Sequence, residues 1–174
     1  MKKILLLISF FIIVSYLVLI QIRYGSMASI SRSAKYLTAD NIEYLFFIFI
    51  WSIGITAAYV GNSILSALGT GILTAIGTIT GYNPDILSGN EHLIHIICAV
   101  TAITLGFADI INKGMKTDKP AIPLISVVLF IIYSISAYFL QKNYVYWIEI
   151  IAIIIIFTYY FYYVSSRVKK TNTV

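Results

Sequence analysis

Long apolar runs alternate with short polar clusters along the chain, a pattern of repeated membrane crossings rather than of one water-soluble core. No charged residue occurs from Tyr44 to Pro84. As a helix, rising about 1.5 Å per residue, that stretch is roughly 60 Å long, twice the ~30 Å hydrocarbon thickness of a bilayer, so it holds two spans. The turn between them belongs at Gly61, Asn62 and Ser63, where Gly can end a helix in the left-handed conformation and Asn or Ser can cap the next. The same ruler predicts six spans, at about 4–22, 42–60, 63–81, 92–111, 121–140 and 144–164. Lys2 and Lys3 precede the first, whose apolar run exceeds the usual roughly 7 to 15 residues of a signal-peptide core and is not directly followed by a clean small-x-small cleavage site, so it reads as a retained span. Asn83 and Pro84 mark a turn, and Ser88 with Glu91 has capping-box spacing ahead of span four. In the longest connection, Tyr24 to Asn41, Met27, Ile30, Ala34 and Leu37 fall at helical spacing with Arg32 and Lys35 off that stripe. Two readings stay open there, a short helix lying in the membrane interface and an ordinary loop.

Composition gives the same class. The 174 residues are 60% hydrophobic and 11% charged, with a mean hydropathy of +0.92, whereas a soluble domain carries about a quarter charged residues. The expected fold is all-α, a single polytopic membrane bundle over residues 1–174, in a cell membrane such as a bacterial inner membrane. The net charge of +5 does not point to nucleic acid, because the cations cluster at the ends of the apolar runs instead of on one soluble face. With the N-terminus inside, Lys2, Lys3, Lys113, Lys116, Lys119, Arg167, Lys169 and Lys170 lie inside, against Arg23, Arg32, Lys35 and Lys142 outside. That asymmetry predicts N-in and C-in. The aromatic run Tyr159 to Tyr163 then falls at the inner interface, and Tyr144, Tyr146 and Trp147 at the outer one. Cys98 is the one cysteine, which excludes an intrachain disulfide or a CxxC pair; within its apolar run it reads as a small buried residue.

Residue size predicts how the spans pack. Span three carries small residues in two rows, Ser63, Ala67, Gly71 and Ala75, and Ser66, Thr70, Thr74 and Thr78, which places it centrally. Gly77 and Gly81 form a GxxxG pair that serves packing within the chain or a homo-oligomer contact. Span two presents Glu43, Phe47, Ile50, Gly54, Ala57 and Gly61 on one face, and span four presents His92, His95, Ala99, Ala102, Gly106 and Asp109. Spans two to four form the expected inner triplet, with Ile-rich spans one and six facing lipid.

Titratable side chains within spans are costly and are the first functional candidates. His95 lies about 4 Å below the head of span four and Glu149 roughly 7 Å below the head of span six, so they share a depth. A polar cluster of His92, His95 and Glu149, with Glu43, Asp85 and Glu91 at the same rim, is therefore expected on the outer side. Three roles fit: a structural hydrogen bond between His95 and Glu149, a ligand or proton-linked site, or a metal site. The last would need a third ligand from another helix, and HExxH is absent. Asp109, about 21 Å further along span four, reads as a helix-end residue snorkelling to the inner interface near Lys113. No catalytic residue, metal or cofactor is assigned.

Three short motifs carry a family resemblance: Ser29-Ile30-Ser31 in the long first outer loop, a His at the head of span four, and Trp147-Ile148-Glu149 at the head of the last span. With six spans and a very short second turn, the chain resembles the DRAM/Sfk-type six-helix membrane proteins, with Ala28 where that family usually has Pro. It is also similar to small bacterial and phage multi-pass membrane proteins with the same His and Trp-x-Glu placement. The resemblance implies no enzymatic activity. A more distant likeness to ceramidase-type seven-helix hydrolases lacks their His and Asp ligands. The expected function is a non-enzymatic membrane protein that binds or senses a small or lipidic ligand at the outer polar cluster, the alternatives being a metal-dependent intramembrane hydrolase and a small transporter or channel. The lipid bilayer is the expected partner; no nucleic acid and no specific protein partner is indicated.

Overall fold

The computed structural model describes residues 1–116, 121–140 and 143–171, and the loop cations Lys119 and Lys142 of the charge count lie outside them. The described residues form seven α-helices, one 3-10 turn at Pro84–Leu87 and no strand: α1 (Lys2–Tyr24), α2 (Ser33–Ala39), α3 (Tyr44–Gly61), α4 (Ile64–Tyr82), α5 (His92–Gly114), α6 (Ala121–Leu140) and α7 (Tyr144–Thr171). All but α2 are long and apolar enough to cross a membrane. They run up and down, so that segment 25–43 and the Asn83–Glu91 turn cap one end, while the N-terminus and the α3–α4 turn lie at the other.

That α3–α4 turn falls where expected but works differently. Asn62, not Gly61, takes the left-handed conformation, at φ 48° and ψ 45°, and Ser63 caps α4 by accepting the Ser66 N–H at 3.1 Å. Gly61 is needed for space: a Cβ there would lie 1.9 Å from Ser66 Oγ. The Ser88–Glu91 capping box does not form, since Ser88 Oγ donates to the Asp85 carbonyl and Glu91 makes no capping bond.

Helix α4 packs between α3 and α5, though not through the row first expected. Ser66, Gly69, Ile76, Gly77, Thr80 and Gly81 are buried, whereas Ala67, Gly71 and Ala75 are exposed. A strict i+4 row drifts around a helix of 3.6 residues per turn, so the contact face follows the mixed i+3/i+4 spacing instead. The Gly77 and Gly81 faces are filled from within the chain, by Ile50 and Phe47 of α3, leaving no room there for a second copy. Thr70, Thr74 and Thr78 each donate to the carbonyl four residues back at 2.7 Å, which satisfies their hydroxyls inside the helix.

Helix α6 is the outermost, burying only Pro123 and Ala137. Helix α7, expected to face lipid, instead buries Tyr146, Ala152, Phe157, Tyr159 and Tyr160. Two of its tyrosines have polar partners inside, Tyr146 donating to Gln21 Oε1 at 3.2 Å and Tyr160 to Asp109 Oδ2 at 3.2 Å, whereas the buried Tyr159 hydroxyl has none among the described residues.

Segment 25–43 includes a short helix, α2, and covers one end of the bundle as a plug. Met27, Ile30, Ala34 and Leu37, the stripe visible in the sequence, all belong to the buried core, with Ala34 and Leu37 fully inaccessible. Polar bonds hold it on every side. Tyr16 Oη bonds Ser33 Oγ, Asn143 Nδ2 donates to the Ser26 carbonyl at 2.8 Å, and Asp40 takes Arg23 at 2.9 Å together with the Tyr24 hydroxyl. Lys35 reaches Asp85 at 3.3 Å across to the 3-10 turn.

Candidate functional site

Beneath the plug, α3, α4, α5 and α7 leave a cavity of about 100 Å³. Its walls are apolar, formed by side chains such as Phe46, Phe49, Ile50, Leu73, Ile103 and Ile153. Ala99 and Ala102 of α5 present little side chain to it, while at Gly69, Gly77 and Gly106 the neighbours Leu105, Ile50 and Ile156 close in on the backbone. Polar groups sit at its two ends. Ser31, His95 and Glu149 line the end under the plug; Ser66 and Tyr160 line the other.

At the plug end His95 is bonded at both ring nitrogens. Nδ1 lies 3.1 Å from Thr80 Oγ1, which also reaches the Ile76 carbonyl at 2.8 Å, and Nε2 lies 3.1 Å from Ser31 Oγ. In the neutral ring one nitrogen donates and the other accepts. The ring thus ties α5 to both α4 and the plug. Glu149 ties α7 to the same plug, its Oε2 accepting the Ile30 N–H at 2.5 Å. His95 and Glu149 make no bond to each other; each holds a neighbouring residue of the plug.

The other residues singled out in the sequence lie apart. His92 is exposed at the head of α5 and does not line the cavity, and Glu43 is half-buried just ahead of α3, making no side-chain cap. Among the described residues no three His, Cys, Asp or Glu side chains converge where a metal ion could be held. Ser31 and Thr80, which complete the His95 site, carry no signal of their own in the sequence beyond the Ser-Ile-Ser motif.

Asp109 departs most from expectation. It does not snorkel: it is fully buried, paired with Lys113, whose side chain is 9% exposed. Ser63 Oγ donates to Asp109 Oδ1 at 2.5 Å and Tyr160 Oη to Oδ2. Lys113 Nζ also lies 3.4 Å from Ser63 Oγ, and its charge sits 5.9 Å from the centre of the Tyr160 ring. The helix-end spacing was legible, but the two side chains that draw the pair inward come from α7 and the α3–α4 turn. This network closes the base of the bundle, and Tyr160 joins it to the far end of the cavity.

The arrangement can bind but shows no group poised for covalent chemistry: apolar walls, a histidine with both nitrogens engaged, and a carboxylate with one oxygen held. No protein-family model, curated protein or solved structure matches the chain.

Proposed function

We propose that this is a multi-pass membrane protein, N-in and C-in, that binds a small and mainly apolar molecule in the cavity beneath the 25–43 plug. The observation that carries this reading is the cavity itself: a preformed apolar space with a few polar groups at one end is how small-molecule sites are built. A dry apolar cavity of ~150 Å³ accepts benzene. The space here, about 100 Å³, suits one small ring or a short branched chain. The absence of a three-ligand cluster among the described residues weighs against the metal-dependent hydrolase, and the apolar mid-section against an ion path.

Fluorobenzene in lipid nanodiscs, followed by ¹⁹F NMR, tests the binding. Titration is expected to give a saturable bound signal on the wild type that is lost in Ala102→Leu, which fills the cavity from a wall residue 7% exposed. A signal that never saturates, or that is equal in the filled variant, would mean simple partition into lipid. Orientation has its own test, in a Cys98→Ser background. Ser88→Cys, exposed on the turn beside the plug, is expected to react with an impermeant maleimide added to intact cells, and Lys116→Cys, exposed beyond α5, only after permeabilisation. The reverse pattern would overturn N-in.

A further inference from the structure

We infer that the cavity ligand carries a cationic amine and that Glu149 receives it; this rests on the binding reading above. The inference begins with the charges. Asp40, Asp85 and Asp109 each have a cationic partner, Arg23, Lys35 and Lys113 respectively. Glu91 is exposed, and Glu43 stands outside the cavity. Glu149 alone among the described carboxylates lines the cavity, and among the described residues no Lys, Arg or His forms an ion pair with it.

Its hydrogen bonding is also incomplete. Oε2 takes the Ile30 N–H, and the described residues give Oε1 no donor. His95 is engaged at both ring nitrogens, with Thr80 and with Ser31. A carboxylate against apolar walls is costly unless a charge and donors compensate it. A primary ammonium supplies both, with three N–H donors in a small volume. Phe46 and Phe49 line the same cavity, and aromatic faces attract a cation. The remaining walls then cover a short hydrocarbon part.

The probe pair is cyclopentylamine and its near-isostere methylcyclopentane, each titrated against bound fluorobenzene in nanodiscs of wild type and Glu149→Gln. Gln keeps an amide oxygen for the Ile30 N–H while removing the charge. Comparing each compound across the two proteins cancels its partition into lipid. Cyclopentylamine is expected to displace fluorobenzene from the wild type and to weaken at least tenfold more in Glu149→Gln than methylcyclopentane does. If cyclopentylamine competes equally in both proteins, or fails to compete where fluorobenzene binds, the amine inference is overturned while the apolar-ligand reading stands. If fluorobenzene does not bind the wild type, both fall together.

Discussion

Asp109→Leu is expected to lower the melting temperature of the detergent-solubilised protein by roughly 6 to 20 °C, the largest effect of any single substitution considered. Removing one member of a buried ion pair costs about 3 to 5 kcal/mol, because the partner charge stays behind without compensation, and each kcal/mol moves the melting point by about 2 to 4 °C in a chain of this length. Here the abandoned partner is Lys113, whose ammonium would keep only the distant Ser63 hydroxyl and the Tyr160 and Tyr163 rings. Lys113→Met is expected to be milder, since Ser63 and Tyr160 still donate to the aspartate. The informative result is the double variant. Asp109→Leu with Lys113→Met replaces the pair by apolar side chains of similar size and is expected to lose much less than the sum of the two. A strictly additive loss, measured by thermal unfolding of the four proteins, would show that the two charges do not act as a pair.

Glu149→Ala is expected to loosen the plug. It leaves the Ile30 N–H without its acceptor, a loss of about 1 to 3 kcal/mol for a buried donor, and so raises the open fraction of segment 25–43 by roughly 5- to 150-fold. Ala34→Cys, in a Cys98→Ser background, reports on this opening because Ala34 is fully buried in the closed plug. Its labelling rate by a maleimide should rise by that factor in Glu149→Ala and stay near the parent rate in Glu149→Gln, which keeps an acceptor oxygen. Equal rates in all three would mean that the bond does not hold the plug. Other anchors, among them Ser33 to Tyr16 and Ser31 to His95, make full release of the segment unnecessary for this result.

How far the sequence discloses this architecture depends on which physical constraint is local. The uncharged stretch from Tyr44 to Pro84 can only be two apolar helices, and the Gly-Asn-Ser triplet is the place in it with turn chemistry, so α3, α4 and their junction are legible. Depth is legible too. Helical rise places His95 and Glu149 at one level, and both line the same end of the cavity. Direction is not. The stripe of Met27, Ile30, Ala34 and Leu37 says that one face is apolar, and an apolar face is equally satisfied by lipid or by the bundle interior. Only the partners Tyr16, His95 and Glu149, distant in sequence, turn it inward. Asp109 and Lys113 have the same i,i+4 spacing whether they reach water or lie buried, and the choice is made by Ser63 and Tyr160. The outermost helix is hidden for a similar reason: α6 and α7 are both rich in apolar residues, and the polar partners of Tyr146 and Tyr160 are what draw α7 in.

The central claim is a location, a small ligand held between α3, α5 and α7 under the plug, and intermolecular NOEs measure location. In nanodiscs of protein labelled at isoleucine methyl groups, benzene is expected to give strong cross-peaks to Ile50, Ile103 and Ile153 of the cavity wall. Ile125 and Ile132 on the outer face of α6, each 55% accessible, are expected to give only the weak level seen with dissolved benzene in the bilayer. Cross-peaks of equal strength to all five, or none to the cavity three, would contradict the account.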